Sequence, residues 1–476
     1  MKIKVWAVIT ILTTGFINRA LAQNSDSAFT LRKCIDLAIA NNISIKQNDL
    51  KQQVASINFN QARYDRLPNV AGDINYGINN GRSIDPYTNG YSNQQLSSSN
   101  ASLTASVPVF RGLQTQRTIE QTSLSYKAAQ LENQQEKDNL TLNVILAYLQ
   151  VLNNEDVLDL TKKQTAVTQK QVERLTTLNN EGAIAPATLS DMQGQYATDQ
   201  LSVVTAANTL QLSRLSLSQL MNIPYQKDMW LSREGLDMSV TAYPQTAEQV
   251  YAAALEKLSM VKAADMRAQA ASKTVQVSRA ALYPTLSLFG QLSSNYSSAA
   301  KNSAIINTVD VPSGDYVVVS GNNVPVITKQ TNYNAQNIKY FSQLNNNLST
   351  FFGVSMRVPI FSSFQTRSRI ALAKVDEKNT KYIAENTKIQ LQQSIEQAYL
   401  NTTAAFNRYD LLNNQVKAFQ ESFRASEIKF NLGAVNSVDY LIVKNNLDRS
   451  NINFTIARYE FLLRTKVLDF YQGNLK

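Results

Sequence analysis

The chain is written twice. Val107-Pro108-Val109-Phe110 reappears as Val358-Pro359-Ile360-Phe361, an offset of 251 positions (108 to 359). The same offset carries Gln114-Thr115 onto Gln365-Thr366, Ala147-Tyr148-Leu149 onto Ala398-Tyr399-Leu400, and Gly182-Ala183-Ile184 onto Gly433-Ala434-Val435. Whatever the first half folds into, the second half must therefore fold into as well. Upstream the offset shortens to 216: Pro68 pairs with Pro284, Arg63 with Arg279 and Leu50 with Met266. The second copy thus holds 35 extra residues (251 against 216) between its two prolines. They fall near 296–346, a stretch rich in Asn, Ser, Gly and Val that reads as an enlarged loop.

Each copy predicts two strands and two helices. After Pro68, Val70, Gly72, Ile74, Tyr76 and Ile78 alternate with Asp73, Asn75 and Asn79; before Pro108, Ala101, Leu103, Ala105 and Val107 alternate with Ser102, Thr104 and Ser106. In the second copy Leu286, Leu288 and Leu292 oppose Ser287, Gln291 and Ser293, and Leu348, Phe352, Val354, Met356 and Val358 oppose Ser349, Ser355 and Arg357. Period-two runs of about ten residues have the length of a membrane β-strand. Residues 113–181 and 360–432 contain neither Gly nor Pro and predict helices of about 100 Å at ~1.5 Å per residue. Ile395, Ala398, Thr402, Ala405, Tyr409, Leu412, Val416, Phe419 and Phe423 recur at spacings of three and four, the period of coiled-coil packing. The matching seam of the first copy, Val144 to Val172, turns polar from Asn154 onward. Gly182 and Gly433 stop the long helices in a left-handed turn. Shorter return helices follow, from about Thr188 to Met221 and from about Asp439 to Tyr471, antiparallel to the first.

Lys2 and Lys4, the apolar run Val5 to Phe16 and the small residues of Ala20-Leu21-Ala22 predict an export signal at 1–22. The domain plan is then 1–22 signal, 23–222 first repeat, 223–249 linker and 250–476 second repeat with its enlarged loop. Formal charge falls from +10 to +7 when Lys2, Lys4 and Arg19 leave, and no dense basic run remains, so nucleic acid is not an expected partner. Histidine is absent and cysteine occurs once, at Cys34. That removes the commonest general base, the commonest metal ligand and any internal disulfide. With no phosphate-cradling glycine loop and no nucleophile elbow, the expectation is a non-enzyme without cofactor or metal.

Four membrane-type strands in one chain leave two edges whose backbone groups a bilayer cannot satisfy. Closure needs several chains; two would give eight strands with a filled interior, three would give twelve and a wider lumen. A secreted periplasmic coiled-coil scaffold is the alternative, and it accounts for the helices but not for four symmetrically placed strands.

The duplicated Val-Pro-Val-Phe and Val-Pro-Ile-Phe motifs and the paired turns at Gly182 and Gly433 resemble those of the TolC-like outer membrane factors, and the resemblance covers essentially the whole mature chain. It implies mixed α and β architecture: a homotrimer with a twelve-stranded transmembrane β-barrel in outer-membrane lipid, a periplasmic α-barrel of long antiparallel helices, and an equatorial collar drawn partly from 223–249. It also implies the exit duct of a tripartite efflux pump or a type I secretion system in a Gram-negative bacterium, a passive conduit served by an inner-membrane pump. The tip turns Gly182, Ala183, Ile184, Gly433, Ala434 and Val435 would then dock a periplasmic adaptor (membrane fusion) protein. In the family's best-known member, acidic residues six and nine positions after the second glycine narrow the periplasmic aperture; here those are Asp439, which matches, and Ile442, which does not. Thr188 stands at the corresponding place after Gly182, with Asp191 one turn on, and Val435 replaces the arginine that ties that gate shut. Pro68, Pro108, Pro284 and Pro359 are the expected strand–helix junctions.

Overall fold

The computed structural model describes residues 28–84, 89–93, 95–234 and 239–474. The export signal expected at 1–22 lies outside the described residues.

The duplication governs the helices to the residue. α1 (Leu31–Asn41) and α2 (Ile43–Tyr64) match α5 (Ala247–Lys257) and α6 (Ser259–Ala280) at the 216 offset. α3 (Gln114–Asn180) and α4 (Pro186–Leu220) match α8 (Gln365–Asn431) and α9 (Ser437–Tyr471) at the 251 offset; each long helix has 67 residues and each return helix 35. Local chemistry sets their starts. Thr246 caps α5 in a reciprocal box with Gln249, Pro186 opens α4 where its missing N–H costs nothing, and Asn436 caps α9 by accepting from the Asp439 amide at 2.8 Å. α5 begins at Ala247, so the last three residues of the 223–249 linker belong to a helix.

The chain forms two compact units. One gathers residues up to Ala55, Ser125–Ala268 and Asn379 onward. Here the seam on α8 is buried at Ile395, Ala398, Thr402 and Ala405, and half-buried from Tyr409 to Phe423. The polar seam of α3 is buried too: Val144, Val151, Asn154, Thr161 and Thr168 face inward, and the Thr161, Thr165 and Thr168 hydroxyls donate to carbonyls one turn back. The linker is not free chain. Met229 and Leu231 are buried in the main core beside Cys34, Val144 and Tyr148, and the Tyr148 hydroxyl donates to the carbonyls of Phe29 (2.8 Å) and Ser232 (2.5 Å). Arg233 reaches Asp156 at 2.6 Å. Burial works against the Asp156 charge, but Arg233, Tyr459 and Arg458 outweigh it and hold its carboxyl below the usual range.

The other unit comprises Ser56–Leu124 and Gln269–Lys378. Its centre is an antiparallel sheet in the order β1-β4-β5-β8, with β1 Asn69–Asn79, β4 Leu96–Arg111, β5 Thr285–Ser297 and β8 Ser349–Arg357. Between β1 and β4, Ser83–Ile84 (β2) pairs with Tyr91–Ser92 (β3). Two expectations are corrected here. Pro108 is no junction: β4 runs through it to Arg111, with a register shift between Pro108 and Phe110. A residue without N–H is tolerated there because β1 has already ended, its first pair being Asn69 with Ser106, and because the bulge frees the ladder locally. The stretch near 296–346 is no loop: it folds into β6 (Lys301–Val319), β7 (Asn322–Asn337) and a short helix, α7 (Tyr340–Asn346). Its Asn and Ser content disguised two strands that pair across a two-residue turn, Ser320-Gly321, with φ of 49° and 87°.

Candidate functional site

Cross-strand register sorts the four-stranded sheet into two unlike faces. On one, Gly72, Leu103 and Leu292 form a row; Val70, Ala105, Gly290 and Phe352 form the next; Val107, Leu288 and Val354 a third; and Leu286 with Met356 a fourth. On the other, Asn75 aligns with Asn100 and Asn295, and Asp73 with Ser102, Ser293 and Ser349. In the single chain the apolar face is bare, with Ile74 79% and Phe352 82% exposed. Of the described residues, no helix is long and apolar enough to cross a membrane. β1 and β8 are the two edges, and among the described residues neither has a partner on its outer side.

Pro68 and Pro284 sit where expected, between the ends of α2 and α6 and the starts of β1 and β5; Pro359 follows β8. The return corners carry a duplication that escaped the sequence reading. Gly112 and Leu113 have φ of 59° and 64°, and their counterparts Ser363 and Phe364 have 48° and 60°. Three of these four residues carry a Cβ in the left-handed region, a cost the sheet-to-helix turn imposes. At Gly112 the approach is closer still: an added Cβ would lie 2.7 Å from the Tyr283 Cβ and 2.8 Å from the Ala280 carbonyl oxygen.

In the helical unit the turns at Gly182 and Gly433 have the same geometry, with φ of 71° and 70°. The Gly182 amide donates to the Asn179 carbonyl (3.0 Å) and Ala183 to Leu178 (2.8 Å); Gly433 donates to Phe430 (3.1 Å) and Ala434 to Lys429 (2.8 Å). This double bond pattern closes a helix on a left-handed residue. The two turns share a core of Leu175, Met192, Phe430 and Tyr440, with Ile184 and Leu189 against it. Asp191 accepts from the Ser437 hydroxyl at 2.8 Å, and Arg174 donates to the Asn431 carbonyl at 3.2 Å. Asp439 is exposed in the first turn of α9, where the helix dipole favours an acid; Thr188 lies in the first turn of α4, its amide on the Ala185 carbonyl. Ala183, Ala434 and Val435 complete the two turns.

A charged cluster deeper in this unit was invisible in the sequence. The Lys444 side chain, 2% exposed, places Nζ 3.0 Å from Asp199 and 2.6 Å from Asp448. Thr168 donates to the same Asp199 oxygen at 2.5 Å, and Gln195 to the other at 2.7 Å. Burial pushes the Asp448 carboxyl up, Lys444 opposes that, and Asp199 adds to it. Lys444 and Asp448 read in sequence as an ordinary i,i+4 surface pair, because Asp199, which completes the buried cluster, comes from another helix, α4.

Residues 34–222 and 250–474 match the family described as Outer membrane efflux protein. The chain belongs to that family. Its two matched segments straddle the linker, one per repeat. The chain is 22% identical over 474 residues to outer membrane protein TolC of Escherichia coli K12, covering 98% of this chain and 86% of that protein. Among solved structures, VceC of Vibrio cholerae, an outer membrane protein, superposes with a TM-score of 0.74 at 13% identity, covering 94% of this chain and 97% of that one. The MtrE outer membrane channel of Neisseria gonorrhoeae, solved in its open state, gives 0.71 at 16% identity over 94% and 89%. Family and fold together place this outer membrane efflux protein in the outer membrane of a Gram-negative cell. Cys34, buried in α1 with its thiol pushed up to about 12 by burial, is a core residue.

Proposed function

We propose that three copies of this chain close their sheets into one twelve-stranded barrel and act as the outer-membrane exit duct of a tripartite efflux pump or type I secretion system. The observation that carries this reading is the open sheet: one apolar face, one polar face and two free edges. In lipid those edges must be paired, and pairing β8 of one copy with β1 of the next supplies the partner. A mostly polar inner face, asparagine, serine and threonine with the Phe289–Phe351 pair among them, favours water over side-chain filling, hence twelve strands over eight. Helix surfaces agree. α2 exposes Ile43, Leu50 and Ile57, and α8 exposes Val375, Tyr382 and Ile389, each at seven-residue spacing. Unused heptad stripes suit coiled-coil contacts with neighbouring copies. A secreted scaffold has no use for a bare apolar sheet face. The family's reaction is conduction rather than catalysis, and the pump would supply the energy.

The native mass of the detergent-extracted protein tests closure: a species three times the chain mass, recovered from the outer membrane, is expected. A clean monomer or dimer would sink the reading.

The Gly182 and Gly433 turns, with Ala183, Ile184, Ala434 and Val435, are the proposed adaptor-docking surface, and Thr188, Asp191 and Asp439 the groups proposed to line the periplasmic aperture. An added Cβ at either glycine meets no atom within 4 Å, so a valine there acts through the backbone alone. Left-handed φ costs a Cβ-bearing residue about 1–2 kcal/mol, and a β-branched one more. Gly433→Val or Gly182→Val should therefore deform the turn, leave trimer abundance unchanged and abolish export by the cognate pump and adaptor. Export at the normal rate with either valine would remove the turns from the docking surface.

A further inference from the structure

The 35 residues that distinguish the second repeat build a two-stranded ribbon, and the ribbon is unfinished as it stands in one chain. β6 and β7 pair from Lys301–Asn337 to Val319–Asn322, so the ribbon is about 50 Å long at ~3.4 Å per residue. Its root is firmly held. Gln343 of α7, 1% exposed, donates to the carbonyls of Ser297 (3.0 Å) and Ile338 (2.9 Å) and accepts from the Ser297 amide (3.0 Å). The Tyr340 ring lies 4.8 Å from that of Tyr296, and its hydroxyl meets the Ser99 hydroxyl at 3.1 Å. Beyond the root the cross-strand register puts Ile305, Tyr316, Val318, Ile327 and Tyr333 on one face and the Val317–Val324 pair on the other, all exposed. An isolated hairpin is marginal in water, and an apolar surface of this kind marks an interaction site.

Three observations select the occupant. The ribbon is electrically neutral: its charges are Lys301, Asp310, Asp315 and Lys329, Asp310 faces Lys329 across the pair, and none lies between 316 and 328. A phosphorylated or strongly charged partner therefore finds nothing to pair with. Pro312 and Pro325 interrupt the backbone donors of each strand, which disfavours extension of the ribbon by an added strand and leaves face-to-face packing of side chains. Finally, the ribbon is inserted between β5 and β8, so in a closed trimer three of them rise from one rim. Twelve strands at ~4.8 Å spacing and ~40° tilt make a mouth about 25 Å across, narrower than one ribbon is long. Tethering so close gives effective concentrations in the millimolar range, which no free partner matches.

We propose that the β6–β7 ribbons of the three copies pack against one another through these apolar faces, beyond the exit mouth of the duct. This rests on the trimeric reading above. The consequence is a second, extramembrane contact between subunits that stands over the path of the exported molecule.

Val318→Cys and, separately, Val317→Cys in the full-length chain test it, one on each face, with mild oxidation of intact cells. Cys34 is buried and inert, so the unsubstituted chain should give no linked species. The expected result is a disulfide-linked dimer from at least one variant, approaching two of every three chains, since a single thiol joins copies only in pairs. Deleting 302–336 should leave the assembly trimeric and raise passive entry of a large solute. Trimers by native mass without a linked dimer from either cysteine would overturn the ribbon contact and leave the closure reading standing. Linkage to a different protein would overturn it in favour of an outside partner. A monomeric native mass would overturn both.

Discussion

Leu288→Arg should eliminate the membrane-inserted trimer, while Gln291→Arg, three residues along the same strand, should leave it intact. Leu288 pairs with Val107 on one side and Val354 on the other, in the apolar face and one row from its middle. An arginine facing lipid near the middle of a barrel wall costs about 2–4 kcal/mol. The substitution enters once per chain, so a trimer bears it three times over, a large share of the stability a protein of ordinary marginality has to spare. Gln291 lies between Thr104 and Phe351 on the opposite face, where water is expected and a charge alters ion selectivity instead. Outer-membrane fractions resolved without heating measure both. Normal assembly of Leu288→Arg, or loss of Gln291→Arg alone, would invert the assignment of lipid and lumen faces.

The second large effect is expected at Lys444. A methionine there keeps the length of the side chain and removes the cation, leaving Asp199 and Asp448 facing each other with no counter-charge. Removing one partner of a buried ion pair costs about 3–5 kcal/mol, because the remaining charge stays desolvated. The sign of the pH dependence follows from Asp448, whose carboxyl is raised chiefly by burial, lowered by Lys444 and raised again by Asp199. Loss of the lysine raises it further. A carboxyl raised in the folded state binds its proton more readily folded than unfolded, so its burial penalty is full above the raised value and fades as pH falls through it. The melting deficit of Lys444→Met relative to the unsubstituted trimer should accordingly be largest at pH 8 and shrink toward pH 5. Asp448→Asn combined with Lys444→Met should recover part of it at pH 8. A deficit that is small, or that does not change with pH, would mean that the cluster is open to water in the assembled protein.

Much of the functional surface was legible because it is periodic. Alternation of Leu286, Leu288 and Leu292 with Ser287, Gln291 and Ser293 fixes which side of a strand is apolar before any partner strand is known. Gly182 and Gly433 announced their turns because a left-handed helix stop selects glycine strongly. Leu113, Ser363 and Phe364 adopt comparable angles without glycine, and for that reason gave no warning. The ribbon was missed for a related cause. Asn is depleted in strands on average, yet here Asn307, Asn322 and Asn332 lie on solvent-facing paired strands where burial makes no demand.

What the sequence by itself determined is everything that repeats along one element: two copies, helices of equal length in each, glycine turns at their ends and four strands with one apolar face apiece. Those features depend on neighbours within a few residues, and local sterics and spacing decide them. The tertiary structure alone decided what depends on residues far apart in the chain. The α3 seam at Thr161, Thr165 and Thr168 reads as polar, yet Thr161 and Thr168 are buried and Thr165 half-buried, because Asp199 comes from another helix to accept from Thr168 and is itself held by Lys444 of a third. Pro108 sits inside β4 because β1 happens to end before reaching it, and Met229 and Leu231 become core because Tyr148 binds the linker beside them. Burial and strand order are set by contacts made across tens to hundreds of residues, and no local pattern encodes which partner will be there.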